Sequence, residues 1–256
     1  MLNQNQVTTF EPQVAIVTGS ARNIGRAIAL RLADKGKHVV INGRTKSEEL
    51  DSLHQEIQDL GGKSAICIAD ISTEKGSKQL IQTAIDHFGK IDILINNAAL
   101  RRNISFAEMD YLAWREVLQT ILDGAYLCSS AALPFLRQSK MGSIIFMGGM
   151  SAHTGSKDRA HVVTAKMGLV GLTKALAHDL SQYGINVNCV VPGLIETVRG
   201  DSAGVGSPEH HKKNTTLIGR RGTIDEVAQF VEFLCSDQAR YITGQTLHAN
   251  GGAYLA

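Results

Sequence analysis

The sequence predicts an α/β fold: a single doubly wound parallel sheet of about seven strands with helices on both faces. Three observations predict it. Short β-branched runs alternate with longer amphipathic stretches from one end of the chain to the other. Several of those runs are apolar on both faces, as a sheet covered by helices on each side requires. Glycine is in excess, 25 against 4 prolines, and many glycines fall where a strand pattern hands over to a helix pattern.

The strands are expected at Val14–Thr18, His38–Asn42, Ser64–Ala69, Ile91–Asn96, Ser143–Met147, Ile185–Val191 and Thr246–Ala249. Helical patterns run near residues 24–35, 47–60, 73–88, 107–138, 161–183 and 223–236. The last opens on a capping box, Thr223 with Glu226 three residues on. Right-handed crossovers between parallel strands place ligands at the strands' carboxyl ends. The 256 residues suit one domain, 1–256, large enough to bury a core without staples. No repeat of 20–50 residues is visible. Gly200–Ser207 and the polar run after it make 194–222 read as a mobile loop.

Composition excludes several classes. Lys plus Arg number 26 and Asp plus Glu 24, a net charge of +2, so no nucleic-acid partner is expected. Cys67, Cys128, Cys189 and Cys235 form no C-x-x-C pair, which leaves neither a zinc site nor a disulfide framework. No apolar run approaches the ~18 residues of a membrane helix, so no membrane partner is expected. The first residues, MLNQNQVTTFEPQ, have no basic segment followed by an apolar one, and so no secretory signal. A cytoplasmic location with reduced thiols is expected.

Chemistry begins at the end of the first strand, in Thr18-Gly19-Ser20-Ala21-Arg22-Asn23-Ile24-Gly25, where a helix opens at once. Glycine lets the backbone turn tightly and approach a pyrophosphate. The helix start offers free N–H groups and the positive end of its dipole. Gly19, Arg22, Asn23, Ile24 and Gly25 are therefore candidate cofactor contacts.

The loop resembles that of the short-chain dehydrogenase/reductase family, T-G-x-x-x-G-x-G, and the likeness runs from Val14 to Gly252. It includes Asp70, Asn96-Asn97-Ala98-Ala99, Pro192-Gly193, Tyr241-Ile242-Thr243-Gly244-Gln245 and Asn250-Gly251-Gly252. The resemblance implies a Rossmann fold and a homo-oligomer, dimer or tetramer, with the helices near 107–138 and 161–183 in the dimer contact. It implies that Asp70 and Ile71 line an adenine pocket and that Asn97, with Ala98, supports the ribose. It also implies that Pro192, Gly193, Ile195 and Thr197 flank the nicotinamide. Asn23 departs from the family glycine, but Asn tolerates positive φ.

The acidic slot that would hold the ribose hydroxyl of NAD falls on Gly43, and Arg44 follows. Arg44 and Arg22 suit a 2′-phosphate, which favours NADP over NAD. The alternative is two solvated surface arginines.

The family's Ser, Tyr, Lys and Asn map onto Gly149, Val162, Lys166 and Ile121. Only Lys166 keeps the family residue. Candidate replacements for the lost proton donor are Ser151, His153 and His161, the last beside Asp158 and Arg159. The dienoyl-CoA reductases of the same family also lack that tyrosine, which is similar to this departure. Arg101 and Arg102, after the fourth strand, read either as contacts to an anionic substrate or as solvated charges. His210 and His211 fall where the family carries its substrate loop. No metal is expected, because no third ligand has suitable spacing.

Two functions remain open. One is an NADP-dependent oxidoreductase acting on a small carbonyl or activated alkene, with altered proton delivery. The other is an NADP(H)-binding sensor or scaffold without redox turnover.

Overall fold

The structure, a computed structural model, describes residues 11–198 and 216–256. Seven strands form one sheet, with every recorded pairing parallel and the order β3-β2-β1-β4-β5-β6-β7. They are β1 (Val14–Val17), β2 (His38–Gly43), β3 (Ser64–Ile68), β4 (Ile93–Asn96), β5 (Ser143–Met147), β6 (Asn186–Pro192) and β7 (Thr246–Ala249). Each expected strand is present, with ends within two residues of the expected ones, the usual fraying of a boundary.

Side-chain alternation sends the two faces into two cores. Val14 and Ile16 of β1, Leu94 of β4 and Ile144 of β5 pack on one face. Ala15, Val17, Ile93 and Ile145 pack on the other. Helices α1 (Asn23–Asp34) and α2 (Glu48–Asp59) cover the second face together with α8 (Ile224–Leu234). The first face lies under α3 (Glu74–Phe88), α4 (Tyr111–Leu118), α5 (Gly124–Leu136) and α7 (Ala160–Leu180). No helix among the described residues is long and apolar enough to cross a membrane.

The long helix expected at 107–138 differs from the structure. Asp110 caps α4, its side chain accepting from the Ala113 N–H at 2.7 Å, so the helix starts at Tyr111. A π-helical segment, Gln119–Asp123, then separates α4 from α5. A short helix, α6 (Ser151–Thr154), follows β5; it had no periodic signal because it is a single turn, closed by Gly155 at φ 74°. The capping box at Thr223 is formed in both directions. Arg220 grips Glu226 with two bonds, at 2.9 and 2.6 Å, and holds its carboxyl down at about 2. Residues 199–215 of the expected loop, with His210 and His211, lie outside the described residues.

The strand order reverses between β1 and β4, which makes their carboxyl ends the site of the cleft. Asn42, at the end of β2, braces it. Its Nδ2 donates to the carbonyls of Cys67 and Ala69, both at 3.1 Å, and its Oδ1 accepts from the Gly19 N–H at 3.3 Å. The side chain is buried. Asn42→Leu leaves these backbone groups without partners, and each buried orphan costs about 1–3 kcal/mol. Urea denaturation of this variant should therefore show a loss of about 2–4 kcal/mol; a loss under ~1 kcal/mol contradicts the bracing role.

Candidate functional site

The loop after β1 is fastened to the loop after β4. Thr18 Oγ1 accepts from the N–H groups of Asn97 and Ala98 at 2.9 and 3.0 Å. Asn97 Nδ2 returns two bonds, to the carbonyls of Thr18 and Gly19, both at 2.9 Å. These contacts leave no room for a side chain on the loop. A Cβ on Gly19, which sits at φ 60°, would stand 2.9 Å from Ala98 Cα. One on Gly25 would stand 2.5 Å from both Asn97 Nδ2 and the Gly19 carbonyl.

Helix α1 opens without a side-chain cap: Arg22, its N-cap residue, makes none. By contrast Ser47, Thr73, Asp110 and Thr223 cap α2, α3, α4 and α8. The first N–H groups of α1 thus stay available to an anion. Asn23 adopts φ 51° and puts its amide to use. It donates to the Val198 carbonyl at 2.8 Å and accepts from the Val198 N–H at 2.9 Å, tying the segment after β6 to this loop.

A cleft of about 390 Å³ crosses these carboxyl ends. Gly19, Arg22, Asn23, Ile24 and Gly25 form its middle wall. Arg44, Asp70 and Ile71 line one end, with Asn42, Thr45 and Ser47. Asn97, Ala98 and Arg101 line the other, with Thr120, Arg159 and Thr197. Asp70 Oδ1 is held by the Ser72 N–H and hydroxyl at 3.0 and 2.7 Å. Gly43 brings no carboxylate, and a Cβ there would lie 2.6 Å from Leu50 Cδ1, the end of a side chain that would have to shift. Arg22 stands 3.6 Å from Glu49, both half exposed.

Lys166 is not among the lining residues: it is buried, 5% exposed, and its Nζ donates to the Met147 carbonyl. Burial, and then the charges of Arg101 and Arg159, push its amine down to about 7. A Cβ on Gly149 would meet only Lys166 Cγ, at 3.9 Å, so the space there is open. Val162 is buried in the apolar core, and Ile121 is buried within the π segment.

Ser151, His153 and His161 are not among the residues lining this cleft. Ser151 begins α6. His153 meets His248 edge-on and Tyr254 at a tilt, with ring centroids 4.6 and 5.7 Å away, and burial lowers its pKa. His161 is fully buried. Burial holds its pKa down against a partial contact with the Arg159 backbone, and neither ring nitrogen has a well-aligned partner. Arg102 turns to Glu116, with contacts of 2.8 and 2.7 Å, instead of the cleft. Pro192, Gly193 and Ile195 are not among the lining residues, while Thr197 is. All four cysteines are free and buried, and the described residues hold no cluster of three metal-ligating groups.

A family profile described as enoyl-(acyl carrier protein) reductase matches residues 19–254. The chain belongs to the short-chain dehydrogenase/reductase family. It is similar to a 3-oxoacyl-[acyl-carrier-protein] reductase of Staphylococcus aureus, 36% identical over 243 residues, covering 94% of this chain and 98% of that one. The Aquifex aeolicus protein of that name is 38% identical over 248 residues, covering 96% and 98%. The Synechocystis one is 35% identical over 254 residues, covering 97% and 100%. This short-chain dehydrogenase/reductase is thus matched along almost its whole length by oxidoreductases whose names describe carbonyl reduction. Asn42, Thr45, Ser47, Thr120 and Arg159 were not among the contacts expected from sequence. Arg159 had a signal, since it opens a helix at a strand's carboxyl side; Thr120 had none, because its exposure depends on the π segment.

The amine of Lys166 yields a pH prediction. In the unfolded chain it holds its proton up to about its ordinary 10.5, and in the fold only below about 7. Between those values unfolding takes up a proton, so stability rises with pH. Lys166→Met removes that contribution. Its urea-denaturation free energy should exceed the parent's near pH 6–7, with the gap closing toward about pH 10.5. Parallel pH profiles contradict the burial of this charge.

Proposed function

We propose that this protein is a cytoplasmic, homo-oligomeric, NADP-dependent oxidoreductase that reduces or forms a small carbonyl or activated alkene, with proton delivery that uses no tyrosine. The observation that carries the reading is the uncapped start of α1, faced by two glycines at which a Cβ would collide with the loop after β4. That arrangement suits a pyrophosphate lying against backbone N–H groups. Asp70 and Ile71 suit an adenine, and Asn97 and Lys166 a ribose. Arg44, at the end of β2 where Gly43 brings no carboxylate, suits a 2′-phosphate. The bound cofactor supplies a hydride.

The residues here divide the remaining work. Lys166 keeps the family's lysine position, buried beside the open space at Gly149. Val162 and Ile121 offer no proton and no hydrogen bond. A tyrosine acid is worth about 10²–10⁴-fold in such reactions, so proton delivery falls to Lys166 or to water it orients. The 3-oxoacyl group in the relatives' names is one carbonyl of the proposed class. Exposed Tyr111, Leu112, Tyr126 and Met167 on α4, α5 and α7 support pairing of copies through those helices. A second reading, NADP(H) binding without turnover, is favoured by the same apolar Val162 and Ile121.

NADPH should bind about tenfold more tightly than NADH in a fluorescence titration, and Arg44→Ala should narrow that gap by weakening NADPH alone. Equal affinities contradict the assignment of NADP.

A further inference from the structure

The segment after β6 reaches back across the cleft. In the sheet β6 stands three places from β1, a separation of about 14 Å at ~4.8 Å per strand. Yet Thr197 and Val198, just beyond β6, line the same cleft as the loop after β1. Residues 193–198 therefore pass over the carboxyl ends of β5 and β4. A stretch of that length spans about 20 Å when fully extended, so it has little slack.

Both ends of this strap are fastened. On the β6 side Ile195 pairs with Gly222: the Glu196 N–H donates to the Gly222 carbonyl at 2.9 Å, and the Gly222 N–H to the Leu194 carbonyl at 3.0 Å. On the β1 side the partner is a side chain. The Asn23 amide donates to the Val198 carbonyl at 2.8 Å and accepts from the Val198 N–H at 2.9 Å, an exchange of the kind two paired strands make. Thr197 lies between the two anchors and lines the cleft.

Apolar packing does not hold the β1 side. Val198 is 81% exposed, whereas Leu194 is buried and Ile195 packs on the second core. The hold on Val198 is the amide pair. Asn23 is also the first residue of α1, so the clasp sits on the turn whose uncapped N–H groups suit the pyrophosphate.

Building on the oxidoreductase reading above, we propose that Asn23 is a positioning residue: it closes the strap over the dinucleotide cleft, and the cofactor passes in or out only while the Asn23–Val198 pair is open. Both bonds are made within the protein, so opening them is a step shared by entry and exit. The two rates are slowed together, and affinity is nearly unchanged.

Stopped-flow fluorescence of NADPH with the full chain tests this. Asn23→Gly removes both bonds, and glycine holds φ 51° without strain. It should raise the association and dissociation rate constants by about tenfold each, the worth of two modest hydrogen bonds, with Kd changed less than about threefold. Val198→Pro, which lacks the N–H that Asn23 accepts, should also raise both rates, and adding it to Asn23→Gly should raise them no further. Unchanged rates in Asn23→Gly overturn the proposal. Faster dissociation alone, with Kd weakened by the same factor, also overturns it, because that marks Asn23 as a direct cofactor contact. Additive effects of the two substitutions overturn it too, since the residues then act separately. NADPH binding with unaltered rates defeats this inference alone; no NADPH binding by the unsubstituted chain defeats the parent reading as well.

Discussion

The site depends on one junction: the hydrogen bonds by which Thr18 and Asn97 fasten the carboxyl end of β1 to that of β4. Those two strands are neighbours only because the chain crosses out to β3 and returns, and the cleft lies at that reversal. The junction uses up the polar groups of both loops and brings them too close for side chains at Gly19 and Gly25. What remains directed outward is backbone N–H at the start of α1. Asn42 repeats the device one strand over, holding Gly19 from β2.

Electrostatics then divides the cleft. Its middle relies on backbone donors, its β2 end on Arg44, and its β4–β5 end on Arg101 and Arg159, whose charges also act on the buried Lys166. A buried lysine surrounded by arginines is costly in an empty protein. The fold lowers that cost because Lys166 donates to the Met147 carbonyl and because its amine, pushed down to about 7, sheds its proton easily.

Much of this was legible in the sequence because it rests on local signals. Buried parallel strands are continuous apolar runs, and the phosphate loop is a glycine pattern set between a strand and a helix. The capping box of Thr223 and Glu226 depends on residues three apart. The parts that were not legible depend on distant partners. Arg101 and Arg102 are neighbours of the same type, yet Glu116 on α4 captures the second and leaves the first on the cleft. Arg159 enters the site from a distant loop, which the Ile104 N–H joins by a bond to the Asp158 carbonyl at 2.8 Å. Asn23 was expected merely to tolerate its backbone angle, and instead its amide clasps Val198. The histidines considered as replacement acids were near Lys166 in number, but His153 packs on His248 and Tyr254, and His161 is sealed in the interior.

On the proposed reading, the cofactor cleft is furnished and the usual proton donor is not. Gly149 has open space for a hydroxymethyl group, whereas Val162 is packed and a phenol there must push aside its neighbours. The most direct test is NADPH oxidation at saturating 3-oxobutanoate and neutral pH, comparing the unsubstituted protein with the Gly149→Ser/Val162→Tyr double variant. The account predicts a rise in kcat of about 10²-fold or more, the worth of a general acid and a carbonyl donor restored beside Lys166. A double variant that folds, binds NADPH as before and turns over no faster would contradict it.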